Sequence, residues 1–309
     1  MSRKTTHVQV DGKDLVLSNL DKVLYPESGF TKAQVIDYYL RIAPLLLPHL
    51  KDRPLTLKRY PEGVHEEFFY EKRCPSFRPK WVSVVNVSSN RKNDTINYCT
   101  VSDVASLVWV ANLASIELHT LLSRYPRTER PTMLVFDLDP GEGASLLDSC
   151  RIAQRLRKLL EGHGLQSLPK ASGGKGLHLY VPLNTPVTHE QTKGFARHVA
   201  NSMASQWPDE VTSNMLKKLR VGKVFIDWSQ NDEHKTTVCV YSLRARTAPT
   251  VSMPVTWAEV GTALRKKDPS TLVFQADAAL ARADRKGDLF EPVLTLRQKL
   301  PAIDEREAA

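Results

Sequence analysis

Two aspartates at the end of a short apolar run are the residues of this sequence best suited to chemistry. Residues 133–136 are apolar and of strand length, and Asp137 and Asp139 follow them before the breaking pair Pro140 and Gly141. Side chains two residues apart project from the same face of a strand. Two adjacent carboxylates repel each other unless a cation neutralises them, and Mg²⁺ or Mn²⁺ does this best. The pattern predicts a metal site, although a solvated strand end is the ordinary alternative.

Asp227 follows a second apolar strand, residues 224–226, and strengthens this interpretation. Three strand-borne carboxylates would suit a two-metal site for in-line phosphoryl transfer, whereas a single such aspartate is more often a surface acid. An apolar strand before Asp-x-Asp also resembles the haloacid dehalogenase-like phosphatases, in which an aspartate is the nucleophile. That alternative is weaker because Gly141 occupies the position of its threonine or valine and no distal Asp-Asp pair is evident.

A glycine loop at residues 172–178 supplies a hydroxyl, a cation and an imidazole just before a predicted strand: Ser172, Lys175 and His178. Its backbone N–H groups and Lys175 would suit a triphosphate. The Walker A spacing is missing, and a strand follows where that motif has a helix. An exposed turn lysine is the alternative, and His178 and His119 are each compatible with an ordinary core histidine.

Two further groups of residues suit nucleic-acid chemistry. Arg244 and Arg246 end a predicted strand and suit bidentate phosphate contacts, although a surface ion pair is equally compatible with them. The aromatic residues 68–70 lie between the basic pairs 58–59 and 72–73, and an exposed ring among them would stack on a base.

The composition favours a polyanionic partner, nucleic acid first. The 309 residues carry 43 Lys and Arg against 34 Asp and Glu, a net charge of +9. The four scattered cysteines include no Cys-x-x-Cys pair, which argues against a zinc site and against a disulfide framework. No signal peptide or long apolar span is evident, so the cytoplasm is the default location.

The elements that must position these residues follow from periodicity and capping. Asp103 is predicted to cap a helix that runs to about His119, and residues 125–131 are predicted to be a linker. Residues 1–13 and 298–309 are predicted to be tails, the first of them flexible apart from a possible strand at residues 8–10. Strands and helices alternate without a strict repeat, which predicts an α+β fold with mixed or antiparallel sheets. The other expected elements are a helix after Thr31, strands at 55–59, 67–70, 81–87, 95–100 and 177–183, and helices at 145–160 and 190–206.

Four motifs in this order resemble the polymerase domain of bacterial ligase D-type end-joining enzymes, within the archaeo-eukaryotic primase superfamily. They are residues 17–26, 135–143, 172–180 and 224–230. The resemblance extends over residues 14–297 and implies a primase-like catalytic core. The resemblance implies two parts within this region. Residues 14–130 would contact DNA, and residues 131–297 would hold the metal site. The ligase and nuclease modules of multidomain relatives are absent from this sequence, which is compatible with a stand-alone protein or an excised domain.

The resemblance implies a template-directed nucleotidyltransferase that fills gaps or extends ends during double-strand break repair by non-homologous end joining. Two Mn²⁺ (or Mg²⁺) ions would bind Asp137, Asp139 and Asp227. The residues expected to line the incoming nucleotide are Lys58, His119, Ser172, Lys175, His178 and Arg244. Those expected to grip a downstream 5′-phosphate are Asn19, Lys22 and Lys32, and those expected to stack on the template are Phe69 and Tyr70, or the pair one residue earlier.

The resemblance also implies substrates and partners. They are DNA with 5′-phosphorylated gaps or ends, NTP or dNTP with ribonucleotides preferred, a DNA ligase and a Ku-type end-binding protein. The expected location is the cytoplasm, at the nucleoid, with no membrane contact. A non-catalytic nucleic-acid-binding module remains the second alternative.

Overall fold

The structure is a computed structural model that describes residues 4–89 and 94–302, and the chain divides into two compact units. Unit 1 contains the chain up to residue 121 together with residues 236–252 and 274–288. Unit 2 contains residues 122–235, 253–273 and the chain from residue 289. This division differs from the expected single boundary at 130/131, because the chain returns to unit 1 twice after residue 235.

The elements of unit 1 are mostly strands, joined by three helices. They are β1 (Thr5–Val10), β2 (Lys13–Ser18), β3 (Val23–Tyr25), β4 (Phe30–Thr31), α1 (Lys32–Leu50), β5 (Leu55–Arg59), β6 (Phe69–Glu71), β7 (Val84–Ser88), β8 (Thr95–Cys99), α2 (Val104–Asn112), β9 (Ser115–Thr120), β17 (Thr237–Val238), β18 (Leu243–Ala245), β19 (Pro249–Val251) and α6 (Ala276–Lys286). As predicted, α1 follows Thr31, whose side chain accepts a hydrogen bond from the Gln34 N–H. A six-stranded antiparallel sheet organises the unit, with the order β17-β9-β5-β8-β7 and β6 paired to β5.

Two predictions for unit 1 are wrong. The helix capped by Asp103 ends at Asn112, because Ala114 adopts a positive φ of 57° and the next residues pair with β5 as β9. Residues 5–13 are not a flexible tail, since β1 and β2 form a hairpin. Its turn, Asp11 and Gly12, has positive φ at both positions, which an Asp-Gly pair tolerates best. Residues 1–3 lie outside the described part of the chain.

The elements of unit 2 surround a second sheet. They are β10 (Ser123–Arg124), β11 (Arg127–Pro131), β12 (Met133–Pro140), α3 (Leu146–Gly162), β13 (Leu168–Ala171), β14 (Leu177–Pro182), α4 (His189–Gln206), β15 (Val211–Thr212), β16 (Val224–Asp227), β20 (Met253–Pro254), α5 (Trp257–Lys266), α7 (Pro292–Thr295) and 3-10 helices at Lys217–Leu219, Trp228–Asn231 and Pro269–Leu272. The sheet has the order β15-β16-β12-β14-β13-β20, and its pairs are antiparallel except β15 with β16. Helices α3 and α4 pack on β12. One antiparallel and one mixed sheet with their helices confirm the α+β class.

Two stretches of unit 2 differ from expectation. The predicted linker at 125–131 is the turn and second strand of the β10–β11 hairpin. The predicted C-terminal tail is anchored at Gln298, which donates to the carbonyl oxygens of Gln166 at 3.0 Å and Pro182 at 2.7 Å. Residues 303–309 lie outside the described part.

A disulfide joins Cys74 to Cys99 in unit 1, whereas Cys150 and Cys239 are buried and do not belong to this disulfide. The spacing of the cysteines in the sequence does not predict the pair Cys74 and Cys99. These two residues meet because the fold places β8 beside the segment that follows β6. No helix in residues 4–89 and 94–302 is long and apolar enough to cross a membrane.

Candidate active-site residues

Three aspartates share one face of the unit 2 sheet. The antiparallel register places Asp137 of β12 directly opposite Asp227 of β16, and such partners have Cβ atoms about 4.5–5.5 Å apart on the same face. Asp139 lies two residues further along that face. The intervening Leu138 is fully buried, whereas Asp139 is exposed. The structure places the three predicted aspartates on the same face of the sheet, and their catalytic role stays a prediction.

The carboxylates of Asp137 and Asp227 are held by different neighbours. Asp137 lies between Asp227 and the buried His178, and its Oδ1 is 3.1 Å from His178 Nε2. Asp227 Oδ1 accepts hydrogen bonds from the Ser229 N–H at 2.9 Å and from the Ser229 hydroxyl at 2.6 Å. Asp227 Oδ2 accepts one from Gln230 at 2.8 Å. These contacts orient two of the acids, and they make His178 a neighbour of the acidic face.

A buried amide fixes the strand that carries Asp137. The side chain of Asn231, which is fully buried, accepts from the Val135 N–H at 2.8 Å and donates to the Val135 carbonyl at 2.8 Å. An amide side chain has both groups needed to pair with a strand edge. Asn231 therefore anchors β12 two residues before Asp137. The sequence does not predict this role, because nothing near Asn231 separates it from an ordinary turn asparagine.

The acidic face fits a hard divalent cation. No group of three or more His, Cys, Asp or Glu side chains within the described ranges is arranged so that it could hold a metal ion. Mg²⁺ does not require such a group, since it is usually bound through one or two carboxylates together with substrate phosphates and water. Asp137, Asp139 and Asp227 provide oxygen ligands of that type on one accessible face.

The glycine loop before β14 is closed by its own serine. Ser172 Oγ accepts hydrogen bonds from the N–H groups of Gly174 at 3.2 Å and Gly176 at 3.3 Å, and the Ser172 N–H donates to the Gly176 carbonyl at 3.1 Å. The expectation that this loop offers free N–H groups is therefore wrong at Gly174 and Gly176. Lys175 is exposed at the tip of the loop and remains the candidate phosphate ligand.

Gly176 lets this loop approach β12, which gives a testable prediction. A Cβ at residue 176 would lie 2.4 Å from the Leu138 carbonyl oxygen and 3.4 Å from Asp139 Oδ1. Gly176→Ala must therefore displace β12 or the loop, and we expect a loss of about 1–3 kcal/mol in unfolding free energy together with a loss of activity. The control is Gly194→Ala in α4, where no atom lies within 4 Å and a gain of roughly 0.5–1 kcal/mol is expected. Equal stability of the two variants in thermal or urea unfolding would contradict the close approach.

A buried carboxylate in unit 1 gathers three cationic or titratable side chains. Glu117 of β9 is 2% exposed and lies opposite Lys58 of β5 in the sheet register. Its carboxylate accepts from His119 Nε2 at 2.9 Å and from the Ala245 N–H at 3.1 Å. Arg244 Nε lies 3.3 Å and Lys58 Nζ 3.9 Å from Glu117 Oε1. Three of the predicted nucleotide ligands, Lys58, His119 and Arg244, therefore surround one anion.

Glu117 is a residue that the sequence-based predictions leave out, although polar and apolar residues alternate in β9. The helical interpretation of this stretch conceals a strand in which Glu117 and His119 point to the same face.

The electrostatics of this cluster favour an ionised Glu117. Burial opposes its ionisation, but the His119 hydrogen bond and the charges of Arg244 and Lys58 outweigh burial and hold the pKa of Glu117 well below its usual range. Burial lowers the pKa of His119 below its ordinary value, and the bond to Glu117 offsets this only in part. Burial likewise lowers the pKa of Lys58, against the opposing effect of Glu117.

Buried tyrosines fix the backbone around this cluster. The Tyr39 hydroxyl donates to the Ile116 carbonyl at 2.6 Å and accepts from the Leu243 N–H at 3.2 Å. The Tyr25 hydroxyl donates to the Arg244 carbonyl at 3.0 Å. Burial raises the pKa of both phenols, so they remain neutral donors. These bonds tie β9 to the segment that carries Arg244.

The exposed aromatic residues divide between the two faces of β6. Phe68 and Tyr70 pack edge to face, and Lys58 Nζ lies 4.1 Å from the centre of the Phe68 ring and 5.4 Å from that of Tyr70. Phe69 instead lies over the Arg59 guanidinium, at 5.0 Å. All three rings are 43–54% exposed. Phe68 and Tyr70 therefore lie on one face of the strand. Phe69 and Tyr70, the residues predicted to stack on the template, lie on opposite faces.

The three residues expected to bind a 5′-phosphate lie close together at the start of α1. The Lys22 N–H donates to the carbonyl of Asn19, which has a positive φ of 52°, and the Lys32 N–H donates to the Lys22 carbonyl. Lys22 Nζ forms an ion pair with the exposed Glu62 at 2.6 Å. Lys32 is buried, and its Nζ donates to the Ser18 carbonyl at 2.6 Å. The Lys32 side chain is therefore buried, unlike that of an ordinary surface lysine.

Comparison with known proteins identifies the family. The model of the LigD primase-polymerase domain matches residues 31–290. The multifunctional non-homologous end joining protein LigD of Mycolicibacterium smegmatis is 44% identical over 279 residues, which are 90% of this chain and 36% of that protein. The bifunctional non-homologous end joining protein LigD of Bacillus subtilis is 32% identical over 89% of this chain and 43% of its own length. The chain thus spans less than half the length of these two relatives.

A solved structure agrees with these matches. The polymerase domain of Mycobacterium tuberculosis ligase D, in complex with DNA, aligns with a TM-score of 0.84 and 41% identity over 92% of this chain and 99% of that one. The match confirms the primase-like fold and excludes the dehalogenase-like alternative. The chain therefore belongs to the LigD primase-polymerase domain family, a family of metal-dependent nucleotidyltransferases.

Proposed function

We propose that this protein adds nucleotides in a template-directed reaction at gaps or broken ends during double-strand break repair by non-homologous end joining. The observation that carries the proposal is the shared face of Asp137, Asp139 and Asp227, set by the β12–β16 register. The relatives support the repair context, since their names place them in non-homologous end joining. The proposed partners are DNA ends, a DNA ligase and a Ku-type end-binding protein, at the nucleoid.

Asp137, Asp139 and Asp227 are the proposed metal ligands, with two ions and a preference for Mn²⁺ over Mg²⁺. The bound ions would supply the charge neutralisation that in-line attack of a 3′-hydroxyl on an α-phosphate requires. The protein's own part is to hold the carboxylates in place: Asn231 anchors β12, and Ser229 and Gln230 orient Asp227.

The cationic residues are the proposed ligands of the nucleotide. Lys58, His119 and Arg244 are drawn together by Glu117 in unit 1. Guanidinium and ammonium groups stabilise the negative charge of a triphosphate, and Arg244 has the planar geometry for two parallel bonds. In unit 2, Lys175 at the glycine-loop tip, with Ser172 and His178 nearby in the chain, is also proposed as a nucleotide ligand. Phe69 and Tyr70, or the pair one residue earlier, Phe68 and Phe69, are proposed to stack on the template.

Primer extension tests the proposal. The substrate is a gapped duplex, supplied with NTP or dNTP and with Mn²⁺ or Mg²⁺. We expect extension that follows the template sequence, with ribonucleotides and Mn²⁺ giving the higher rates. DNA binding without extension under every combination of nucleotide and metal would leave a non-catalytic binding module and overturn the proposal.

The cluster at the start of α1 gives a second prediction. Lys22 and Lys32 lie close to the N-terminal end of α1, where the helix dipole favours an anion. We expect about tenfold tighter binding of gapped DNA with a 5′-phosphate than with a 5′-hydroxyl, since one charge-assisted contact is worth roughly 1.5 kcal/mol. Fluorescence anisotropy measures both substrates, and the preference should decrease with added salt.

Two variants separate phosphate recognition from folding at this cluster. Lys22→Ala removes an exposed ion pair with Glu62 and should remove most of the preference at little cost in stability. The control Lys4→Ala removes a more exposed pair with Asp21 and should leave the preference intact. A wild-type protein that binds both substrates equally would show that this cluster is not a phosphate site.

A further inference from the structure

A cavity of about 540 Å³ in unit 2 lies at the end of β12 opposite the aspartates. Pro131 and Thr132 line it just before β12, and Asn184 lines it just after β14. A strand rises about 3.3 Å per residue, so Asp139 lies on the order of 20 Å from Thr132. The cavity is therefore separate from the acidic face.

The walls of this cavity are fixed by hydrogen bonds. The β10–β11 hairpin forms one wall, and the Thr128 carbonyl near its turn lies 3.0 Å from His189 Nε2 at the start of α4. Asn184 Nδ2 donates to the Val293 carbonyl at 3.1 Å and the Leu296 carbonyl at 2.8 Å. Since Arg297 comes directly after Leu296, these bonds hold its backbone at the cavity. A preformed cavity of this kind loses little entropy when it binds a ligand.

The charge of the cavity has one sign. Four arginines line it, and none of its lining residues is acidic: Arg124, Arg127, Arg130 and Arg297. Arg130 pairs with Glu129 at 3.4 Å, but both side chains are at least 50% exposed, so this pair is weak. The charge of the cavity therefore favours an anion that carries several negative charges.

An exposed aromatic ring narrows the chemical class of that anion. Tyr125 stands at the turn of the hairpin between Arg124 and Arg127, which oppose each other in the register, and it is 45% exposed. Guanidinium groups beside an accessible aromatic ring suit a backbone of phosphates with bases that stack. An acidic peptide would use the charges and leave the ring without a role.

We propose that this cavity, formed by Arg124, Tyr125, Arg127, Arg130 and Arg297, binds single-stranded nucleic acid away from the polymerase site. The arginines contact successive phosphates and Tyr125 stacks on a base. Binding here requires neither metal nor nucleotide, and it therefore goes beyond the proposed function.

The test measures binding of an unphosphorylated oligothymidylate of roughly 20 nucleotides by fluorescence anisotropy in EDTA. Two double variants lower the net charge equally. Arg127→Ala/Arg297→Ala alters the cavity, and Arg265→Ala/Arg285→Ala removes two exposed arginines on α5 and α6. The cavity variant should bind about tenfold more weakly, and its salt slope should be shallower by about 1.4, at roughly 0.7 per lost phosphate contact. The control variant should change binding less than about twofold.

Tyr125→Leu supplies the second measurement. Loss of stacking should weaken oligothymidylate binding at least about fivefold with an unchanged salt slope. The proposal is overturned if both double variants weaken binding equally, which would show a net-charge effect only. It is also overturned if Tyr125→Leu binds normally and polyglutamate competes as well as the oligonucleotide, which would assign the cavity to an acidic peptide. Primer extension on a short gapped duplex should persist in the cavity variant, so failure here and failure of the proposed function are distinguishable.

Discussion

Asp137→Asn and Asp227→Asn are each expected to abolish primer extension, with a loss of at least about 10³-fold in rate, while DNA affinity changes less than about twofold. An amide at either position removes one negative ligand from the acidic face, and metal ions contribute several kcal/mol to transition-state charge stabilisation in phosphoryl transfer. The two residues are direct partners in the β12–β16 register, so each substitution affects the same pair.

The matched control is Asp209→Asn, an exposed aspartate of unit 2 outside the sheet. It carries the same change in charge and should retain full activity. Steady-state primer extension and anisotropy with gapped DNA measure the two properties separately. Full polymerase activity in folded Asp137→Asn or Asp227→Asn protein would refute the assignment of these residues to the metal site.

The sequence predicts that Asp137 and Asp139 share one face, because the pattern that indicates this lies within a few adjacent residues. An apolar run that ends in Asp-x-Asp-Pro-Gly shows both the strand and the side of the strand on which the two carboxylates lie. The pairing of Asp137 with Asp227 has no such local signal. Asp137 and Asp227 lie on strands far apart in the chain, and only the folded sheet sets β16 beside β12. A hydrophobic pattern selects which face of a strand is buried, but it does not select the partner strand.

Sequence analysis does not predict the cationic cluster of unit 1, because the spacing of the apolar residues there indicates a helix instead of the strand β9. An apolar stretch after Asp103 fits a helix, and the sequence contains no glycine or proline to end it before His119. The helix ends because Ala114 takes a left-handed conformation, which is uncommon for alanine. Tertiary pairing with β5 therefore overrides local propensity, and the position of Glu117 is evident only in the sheet.

Sequence analysis does not predict the β10–β11 hairpin, for a related reason. Residues 124–130 contain three arginines together with Tyr125 and Pro126, and this composition is typical of a polar connection. The two strands have too few residues for a period of two to become apparent, so only their pairing in the structure identifies them.

Glu117→Gln is expected to lower the midpoint of thermal unfolding by several degrees, which corresponds to a loss of about 3 kcal/mol or more in unfolding free energy. The carboxylate is 2% exposed and compensates Lys58 and Arg244, which are each 14% exposed. Removal of one partner from a buried ion pair leaves an uncompensated buried charge, at a cost of about 3–5 kcal/mol. The control Glu62→Gln breaks a pair in which Glu62 is 69% exposed and should cost less than about 1 kcal/mol.

The pH dependence distinguishes this charge effect from a simple packing defect. The pKa of Glu117 is lower in the folded protein than in the unfolded chain, so its contribution is fully present above about pH 4.5 and is lost as the pH falls toward the folded pKa. The pKa of His119 is also lowered by folding, so the unfolded chain takes up its proton first and the stability of the wild type decreases below about pH 6.5. The difference in stability between wild type and Glu117→Gln should therefore be retained from pH 7 to about pH 5 and shrink below about pH 4.5, where the Glu117 carboxylate is protonated in the unfolded chain but not yet in the folded protein. A difference that stays constant down to about pH 3 in thermal unfolding would mean that Glu117 acts through packing and not through its charge.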